Sequence, residues 1–251
     1  MIKAIHNQII KKINYACLNN KDLIIASYPR SGSTWLRFII AHTIKHYHDL
    51  DQEINFSTIH NFVPDQHITS ILGKRYAPFP RMIKTHDKCQ SKFDKVIYLL
   101  RDPIDVLHSY FGFLVKTNRT RIKSIEQFVK DSNLGLRSWL THVKSYLHQA
   151  DQVLIYQNVV TDAEIELKKL NQVWKKHWNF SVESRLLRQA AANSSKDKMY
   201  QTLNNKENIS IVSTRRNTDP PSDEVKSYVF EQLRDWFETD RLEEIAELLR
   251  K

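Results

Sequence analysis

Residues Leu23–Ile40 read LIIASYPRSGSTWLRFII. The first six, Leu-Ile-Ile-Ala-Ser-Tyr, are apolar and partly β-branched, the pattern of a short buried strand. Pro29 ends that strand, because proline supplies no ladder donor and restricts the residue before it. Ser31-Gly32-Ser33-Thr34 then form a hydroxyl-rich turn, and Trp35, Leu36, Phe38, Ile39 and Ile40 begin an apolar helical pattern. A strand that stops at a small-residue turn and feeds a helix N-terminus builds an anion site. Unpaired backbone N–H groups and the positive end of the helix dipole converge there. Arg30 adds a fixed positive charge, and the hydroxyls add donors. The stretch reads as a cradle for a phosphate or phosphate-like group; the plainer alternative is a turn whose serines merely cap the helix. It departs from the common ATP- and GTP-hydrolysing loop, since Gly32 stands alone and no lysine follows it.

Working outward, 251 residues with 41% hydrophobic content suffice for one α/β domain spanning 1–251. The excess of 38 Lys+Arg over 28 Asp+Glu, a net charge of +10, favours anionic ligands without choosing among nucleotides, nucleic acid, acidic glycans and membrane surfaces. Two cysteines, Cys17 and Cys89, imply no disulfide framework and fit a reducing, cytoplasmic setting. No apolar run is long enough to span a bilayer, so no stable membrane insertion is expected. The opening MIKAIHNQIIKKINYACLNN places Ile2, Ile5, Ile9 and Ile13 at near-helical spacing without the apolar core of a signal peptide. It reads as a packed amphipathic helix rather than a membrane anchor.

Two further strand ends carry chemistry. Arg81–His86 reads as a short strand ending in Lys84-Thr85-His86, and ligand groups sit at the carboxyl ends of parallel strands. A histidine there can act as a general base; the bland alternative is a surface histidine. Lys95–Leu100, KVIYLL, is an almost unbroken apolar strand that ends at Arg101-Asp102-Pro103, with a helix following from Asp105. Arg101 can fork two hydrogen bonds onto a phosphate, or pair with Asp102 or Asp105 as a structural salt bridge. Ser109 lies roughly a turn into that helix, where it can donate to the same anion. Helices are predicted over Ser33–His48, Ser124–Ser132, Leu136–Ala150, Thr161–Trp178, Val182–Ala192, Ser195–Leu203 and Ser222–Leu249, with a further strand at Gln152–Tyr156. Residues 49–80 and 204–222 show no sustained periodicity. Strands separated by helices indicate a central parallel sheet covered on both faces.

Tyr28-Pro29-Arg30-Ser31-Gly32-Ser33-Thr34-Trp35-Leu36 resembles the 5′-phosphosulfate loop of sulfotransferases dependent on PAPS (3′-phosphoadenosine 5′-phosphosulfate). Lys84-Thr85-His86 is similar to that family's catalytic-histidine segment. Tyr98-Leu99-Leu100-Arg101-Asp102-Pro103, with Asp105-Val106 and Ser109-Tyr110, is similar to its 3′-phosphate motif. Three motifs in the right order, each at a strand end, are far more specific than any one. The resemblance covers Leu23 to about Phe111 and implies a P-loop-kinase-like sulfotransferase fold without nucleotide hydrolysis.

The resemblance implies that Ser31, Gly32, Ser33 and Thr34 hold the 5′-phosphate, with Arg30 near the bridging oxygen and Trp35 stacked on the adenine. It assigns Arg101 and Ser109 to the 3′-phosphate, Tyr156 to the adenine edge, and Arg215 and Arg216 to a C-terminal clamp on the 3′-phosphate. His86 would be the general base, with Lys84 beside the transferring sulfuryl group. The implied donor is PAPS, the product PAP (3′,5′-ADP), and the acceptor a hydroxyl or amine on a small molecule or glycan. No metal and no nucleic-acid partner are expected. Arg30 stands where the cytosolic enzymes usually carry lysine, Asn217 replaces a glycine, and Lys196 replaces an adenine-contacting phenylalanine. The usual Gly-Asp-Trp-Lys continuation is missing. Two other readings compete: a kinase-like phosphotransferase on the same general fold, disfavoured by the missing Gly-Lys-Ser/Thr, and a non-catalytic protein that binds anions through its net charge, disfavoured because the arginines fall at strand ends rather than in a basic run.

Overall fold

The structure is a computed structural model that describes residues 2–72, 75–161, 163–203 and 220–240. Four parallel strands form the sheet: β1 (Asp22–Ser27), β2 (Arg81–Thr85), β3 (Lys95–Leu100) and β4 (Gln152–Ile155), in the order β2-β1-β3-β4. Helix α1 (Ile2–Ala16) precedes the sheet, and α2 (Ser33–Tyr47) follows β1. Helices α3 (Pro103–Lys116), α4 (Ile125–Lys130) and α5 (Leu136–Leu147) connect β3 to β4. After β4 come α6 (Tyr156–Thr161), α7 (Ala163–Trp178), α8 (Ser184–Asn193), α9 (Lys196–Gln201) and α10 (Asp223–Asp240).

All six β1 residues are buried, which is why its middle, Leu23–Ala26, reads as one apolar run. Side chains alternate across the pleat. Ile24 and Ala26 enter a core with Tyr98, Val106, Phe128, Trp139 and Tyr146, under α3, α4, α5 and α10. Leu23 and Ile25 enter the opposite core with Leu36, Ile40, Leu170, Trp174 and Leu187, under α2, α7 and α8. The expected α/β sheet with both faces covered is present. Ala26 pairs with Thr85, and Ser27 with Leu99. The chain therefore leaves β1, β2 and β3 along one edge, at the point where strand order reverses around β1, a recurrent position for ligands in open sheets.

Four details differ from the sequence expectations. First, α1 does not pack by its isoleucines: Ile5, Ile9 and Ile13 are 52%, 52% and 50% exposed, whereas Asn14 is 1% exposed. Asn14 donates to the carbonyls of Gln66 (2.9 Å) and Thr69 (2.7 Å) and accepts from Ile71 N–H (3.1 Å). Irregular backbone beneath α1 needs partners for its polar groups, and the polar side of the helix supplies them. Second, residues 49–80 are not wholly irregular: a 3₁₀ turn covers Ile59–Asn61, and Asp65 makes a parallel bridge to Lys84. Phe62 and Phe79 from this segment are packed into the core. Third, α3 begins at Pro103, with the Asp102 carboxylate accepting from Asp105 N–H at 3.0 Å as its cap. Fourth, β4 stops one residue before Tyr156, because the buried Glu166 carboxylate captures Ile155 N–H at 3.0 Å. Among the described residues no helix is long and apolar enough to cross a membrane.

Candidate active site

The loop after β1 is shaped by two left-handed residues, Arg30 (φ 73°) and Gly32 (φ 94°). Gly32 is the N-cap of α2 and contributes no side-chain cap. Its carbonyl accepts the first helical bonds, from Trp35 N–H (3.0 Å) and Leu36 N–H (3.3 Å). The first N–H groups of a helix have no intrahelical partner, so this end is open to an anion, and Ser31 and Ser33 are buried beside it. A Cβ at position 32 would run into the ring of Tyr156. That ring also takes the Arg101 guanidinium at 4.5 Å from its centroid and the Trp35 ring edge-on at 5.9 Å. Loop, Trp35, Arg101 and Tyr156 thus form one cluster, although Arg101 and Tyr156 lie far from the loop in sequence.

The cations converge on it. Arg30 Nε donates to Ser109 Oγ at 3.1 Å, and its guanidinium lies 5.2 Å from the Phe113 ring centroid. Arg101 donates one N–H to the Arg30 carbonyl (3.0 Å) and another to Asp105 (3.2 Å), so the salt bridge to Asp105 is real. Its Nε is buried without a partner, as is Trp35 Nε1. Burial, and then the like charge of Arg101, lower the Arg30 pKa from its ordinary value. Two close guanidiniums and two orphaned N–H donors beside an open helix N-terminus fit a ligand with more than one phosphate-like group.

His86 sits at the neighbouring strand end. Its Nδ1–H donates to the Ser27 carbonyl at 2.7 Å, with Ser27 Oγ at 3.4 Å. Because a carbonyl only accepts, this bond fixes the tautomer and leaves Nε2 with its lone pair. Burial, and then Lys84, push the His86 pKa well below its ordinary value, so the ring is neutral at pH 7. Lys84 is turned to Asp65, 2.7 Å away, with both side chains nearly inaccessible. Burial drives the Lys84 ammonium below its usual range, and Asp65 opposes that shift. Burial also raises the Asp65 carboxyl, but Lys84 and Arg37 outweigh it and hold the group below the usual carboxylate range.

Several supporting residues escaped the sequence reading. Asp65 and His67 come from the aperiodic segment, where no spacing marks them. Gln66 N–H donates to the Lys84 carbonyl, and Lys84 N–H to the Pro64 carbonyl, both at 2.9 Å. Arg37 of α2 clamps the Val63 carbonyl through Nε (2.9 Å) and a terminal nitrogen (2.6 Å). His67 Nε2 lies 3.4 Å from the His86 amide nitrogen. From α5, His142 Nε2–H donates to the His86 carbonyl (3.2 Å), and its Nδ1 accepts from Tyr98 OH (3.0 Å). Tyr146 OH donates to the Asp87 carbonyl at 2.7 Å. His142 did leave a signal, since it falls between Trp139 and Tyr146 on the buried stripe of α5. Arg215 and Arg216 lie outside the described residues. Lys196 contacts Tyr200, with Nζ 5.9 Å from the ring centroid.

Fold and loop together define an α/β protein with two guanidiniums beside a glycine-capped helix N-terminus. The family described as "Sulfotransferase domain" matches residues 20–247, so the chain belongs to the sulfotransferase-domain family. Sulfotransferase 1B1 of Canis lupus familiaris is 26% identical over 202 residues, covering 70% of this chain and 66% of the relative. Sulfotransferase 2A6 of Mus musculus is 29% identical over 188 residues, covering 68% of this chain and 62% of the relative. The matches therefore span less than two thirds of these relatives' lengths. A crystal structure of retinol dehydratase in complex with androsterone and inactive cofactor PAP superposes with a TM-score of 0.63, over 92% of this chain and 85% of that one. At 14% identity that likeness concerns the fold alone.

Proposed function

We propose that this chain is a PAPS-dependent sulfotransferase that moves a sulfuryl group onto a hydroxyl or amine, with His86 as general base. One observation carries the reading. The His86 imidazole is held by a main-chain carbonyl of β1 in the tautomer that leaves Nε2 basic, at the sheet edge where the α2 N-terminus lies open. The donor, when bound, supplies an activated sulfuryl group on a phosphate leaving group. The N–H groups of Gly32, Ser33 and Thr34 and the hydroxyls of Ser31, Ser33 and Thr34 would hold its 5′-phosphate. Arg30 would offset charge that builds on the departing oxygen. Arg101 and Ser109 would take the 3′-phosphate, with Arg101 leaving Asp105 to do so. Trp35 and Tyr156 supply the aromatic surface for the base. His86 Nε2 would accept the acceptor's proton; positioned acid–base groups contribute about 10²–10⁴-fold. Lys84, held by Asp65, would stand beside the transferring group. Half-buried free Cys17 and Cys89 fit a reducing compartment such as the cytoplasm.

The deciding experiment is calorimetric titration with 3′,5′-ADP, using 5′-AMP and ATP as controls. Micromolar binding of 3′,5′-ADP with discrimination against 5′-AMP supports the donor site. No binding, or a preference for ATP, overturns it in favour of the phosphotransferase reading. Transfer from labelled PAPS that persists at the wild-type rate in His86→Ala would remove His86 from its role.

A further inference from the structure

We propose that α1 is a docking helix that seats the protein on an anionic lipid surface. A helix at the surface of a domain normally turns its apolar stripe inward. This one is reversed. Asn14 is buried against the segment beneath it, Lys11 reaches inward to Asp87 at 2.7 Å, and Ile5, Ile9 and Ile13 face solvent. Positions i, i+4 and i+8 drift by about 40° per step, so the three isoleucines form one continuous stripe. Lys12, also exposed, lies among them. Asn14 grips the main chain at Gln66, Thr69 and Ile71, and in that same segment Ile68 and Leu72 are exposed by 47% and 64%. Ile5, Ile9 and Ile13 thus form an exposed aliphatic stripe along α1, and the segment beneath the helix adds two exposed aliphatic side chains of its own.

Charge identifies the occupant. The α1 sequence, IKAIHNQIIKKINYA, contains three lysines, one histidine and no Asp or Glu; Lys11 is paired with Asp87, and Lys12 is exposed beside the stripe. Lys92 Nζ sits at its C-terminal end, 3.3 Å from the Tyr15 carbonyl, and exposed Lys21 follows. Aliphatic side chains flanked by lysines are the composition of a helix that lies in a negatively charged headgroup region, its lysine stems lying along the apolar surface and their charges in water. A second copy of the chain fits less well, because it would set lysines against lysines. The face is also small: a 15-residue helix is about 22 Å long and about 10 Å wide, far short of the roughly 800 Å² per partner of a stable interface.

The test is vesicle co-sedimentation of the full chain, comparing phosphatidylcholine vesicles with vesicles containing roughly 30% phosphatidylserine, alongside the double variant Ile5→Asp/Ile9→Asp. The expected result is pelleting with the anionic vesicles only, weakened at high salt, and at least tenfold lower partitioning for the variant. Its melting temperature and 3′,5′-ADP affinity should match those of the parent. Equal partitioning by variant and parent would show that net charge alone acts and overturn the proposal. So would indifference to phosphatidylserine. A large drop in the variant's melting temperature would mean that the chain itself covers this face, and a concentration-dependent dimer abolished by the substitutions would assign it to a second copy. Either result also overturns the proposal.

Discussion

Replacing Gly32 by alanine tests the loop geometry directly. Two costs add. A left-handed backbone at φ 94° is disfavoured for an L-residue by about 1–2 kcal/mol. The new Cβ also meets the Tyr156 ring, and overpacking of this kind costs about 1–3 kcal/mol. Together they predict a loss of roughly 2–5 kcal/mol in urea unfolding at pH 7. They also predict weaker 3′,5′-ADP binding, because either the loop or the ring must move. The two contributions separate in a double-mutant cycle with Tyr156→Ala. Removing the ring relieves the overpacking but not the backbone cost, so Gly32→Ala in that background should cost only about 1–2 kcal/mol. A Gly32→Ala protein within about 0.5 kcal/mol of wild type, or an equal cost in both backgrounds, would refute the placement of Tyr156 over the loop.

Arg101→Ala should weaken 3′,5′-ADP about ten- to a hundredfold in calorimetry while leaving 5′-AMP nearly unaffected, because the proposed donor site gives Arg101 a charged hydrogen bond to the 3′-phosphate; equal losses for both ligands would contradict that assignment. Asp65→Asn leaves the Lys84 ammonium buried and unpaired, so it should destabilise the fold by about 3–5 kcal/mol at neutral pH. The gap should narrow as pH rises and Lys84 sheds its proton; a gap independent of pH between 7 and 9 counts against the pairing. The His142 imidazole is pushed down to about 4 from its ordinary 6.5, chiefly by burial, so the unfolded state binds the proton more readily. Its stabilising share is full above pH 6.5 and is lost as pH falls toward 4, about 3 kcal/mol in all. Unfolding followed between these limits should be shallower for His142→Gln, and an unchanged slope would show that His142 is not held neutral.

The strands and the three strand-end motifs were legible because a parallel sheet buried on both faces leaves continuous apolar runs, and Leu23–Ser27 and Lys95–Leu100 have no other economical reading. The partners of those motifs were not. Asp65 reaches Lys84 through a single bridge made by a segment with no periodicity of its own, so only the folded chain reveals the pair. Arg101 left its two roles open at the sequence level, and both features are present: a bond to Asp105 and an unpartnered Nε. Periodicity grouped the isoleucines of α1 on one side, but it carries no information about which side docks. The carbonyls at Gln66 and Thr69 settled that by recruiting Asn14. Tyr156 reads as the end of a strand by propensity, and Glu166, ten residues later, ends the ladder before it.

The bond from His86 Nδ1 goes to the peptide carbonyl of Ser27, not chiefly to its hydroxyl, and the His86 carbonyl is in turn held by His142. The imidazole is therefore oriented by an atom that every amino acid carries. A saturation mutagenesis scan would score position 27 by what its side chain does to the buried core and would pass over this contact entirely. Exchanging the Ser27–Tyr28 amide for an ester by chemical ligation makes that carbonyl a poorer acceptor without altering any side chain. It frees the ring to adopt its other tautomer, in which Nε2 carries the proton and is no longer a base.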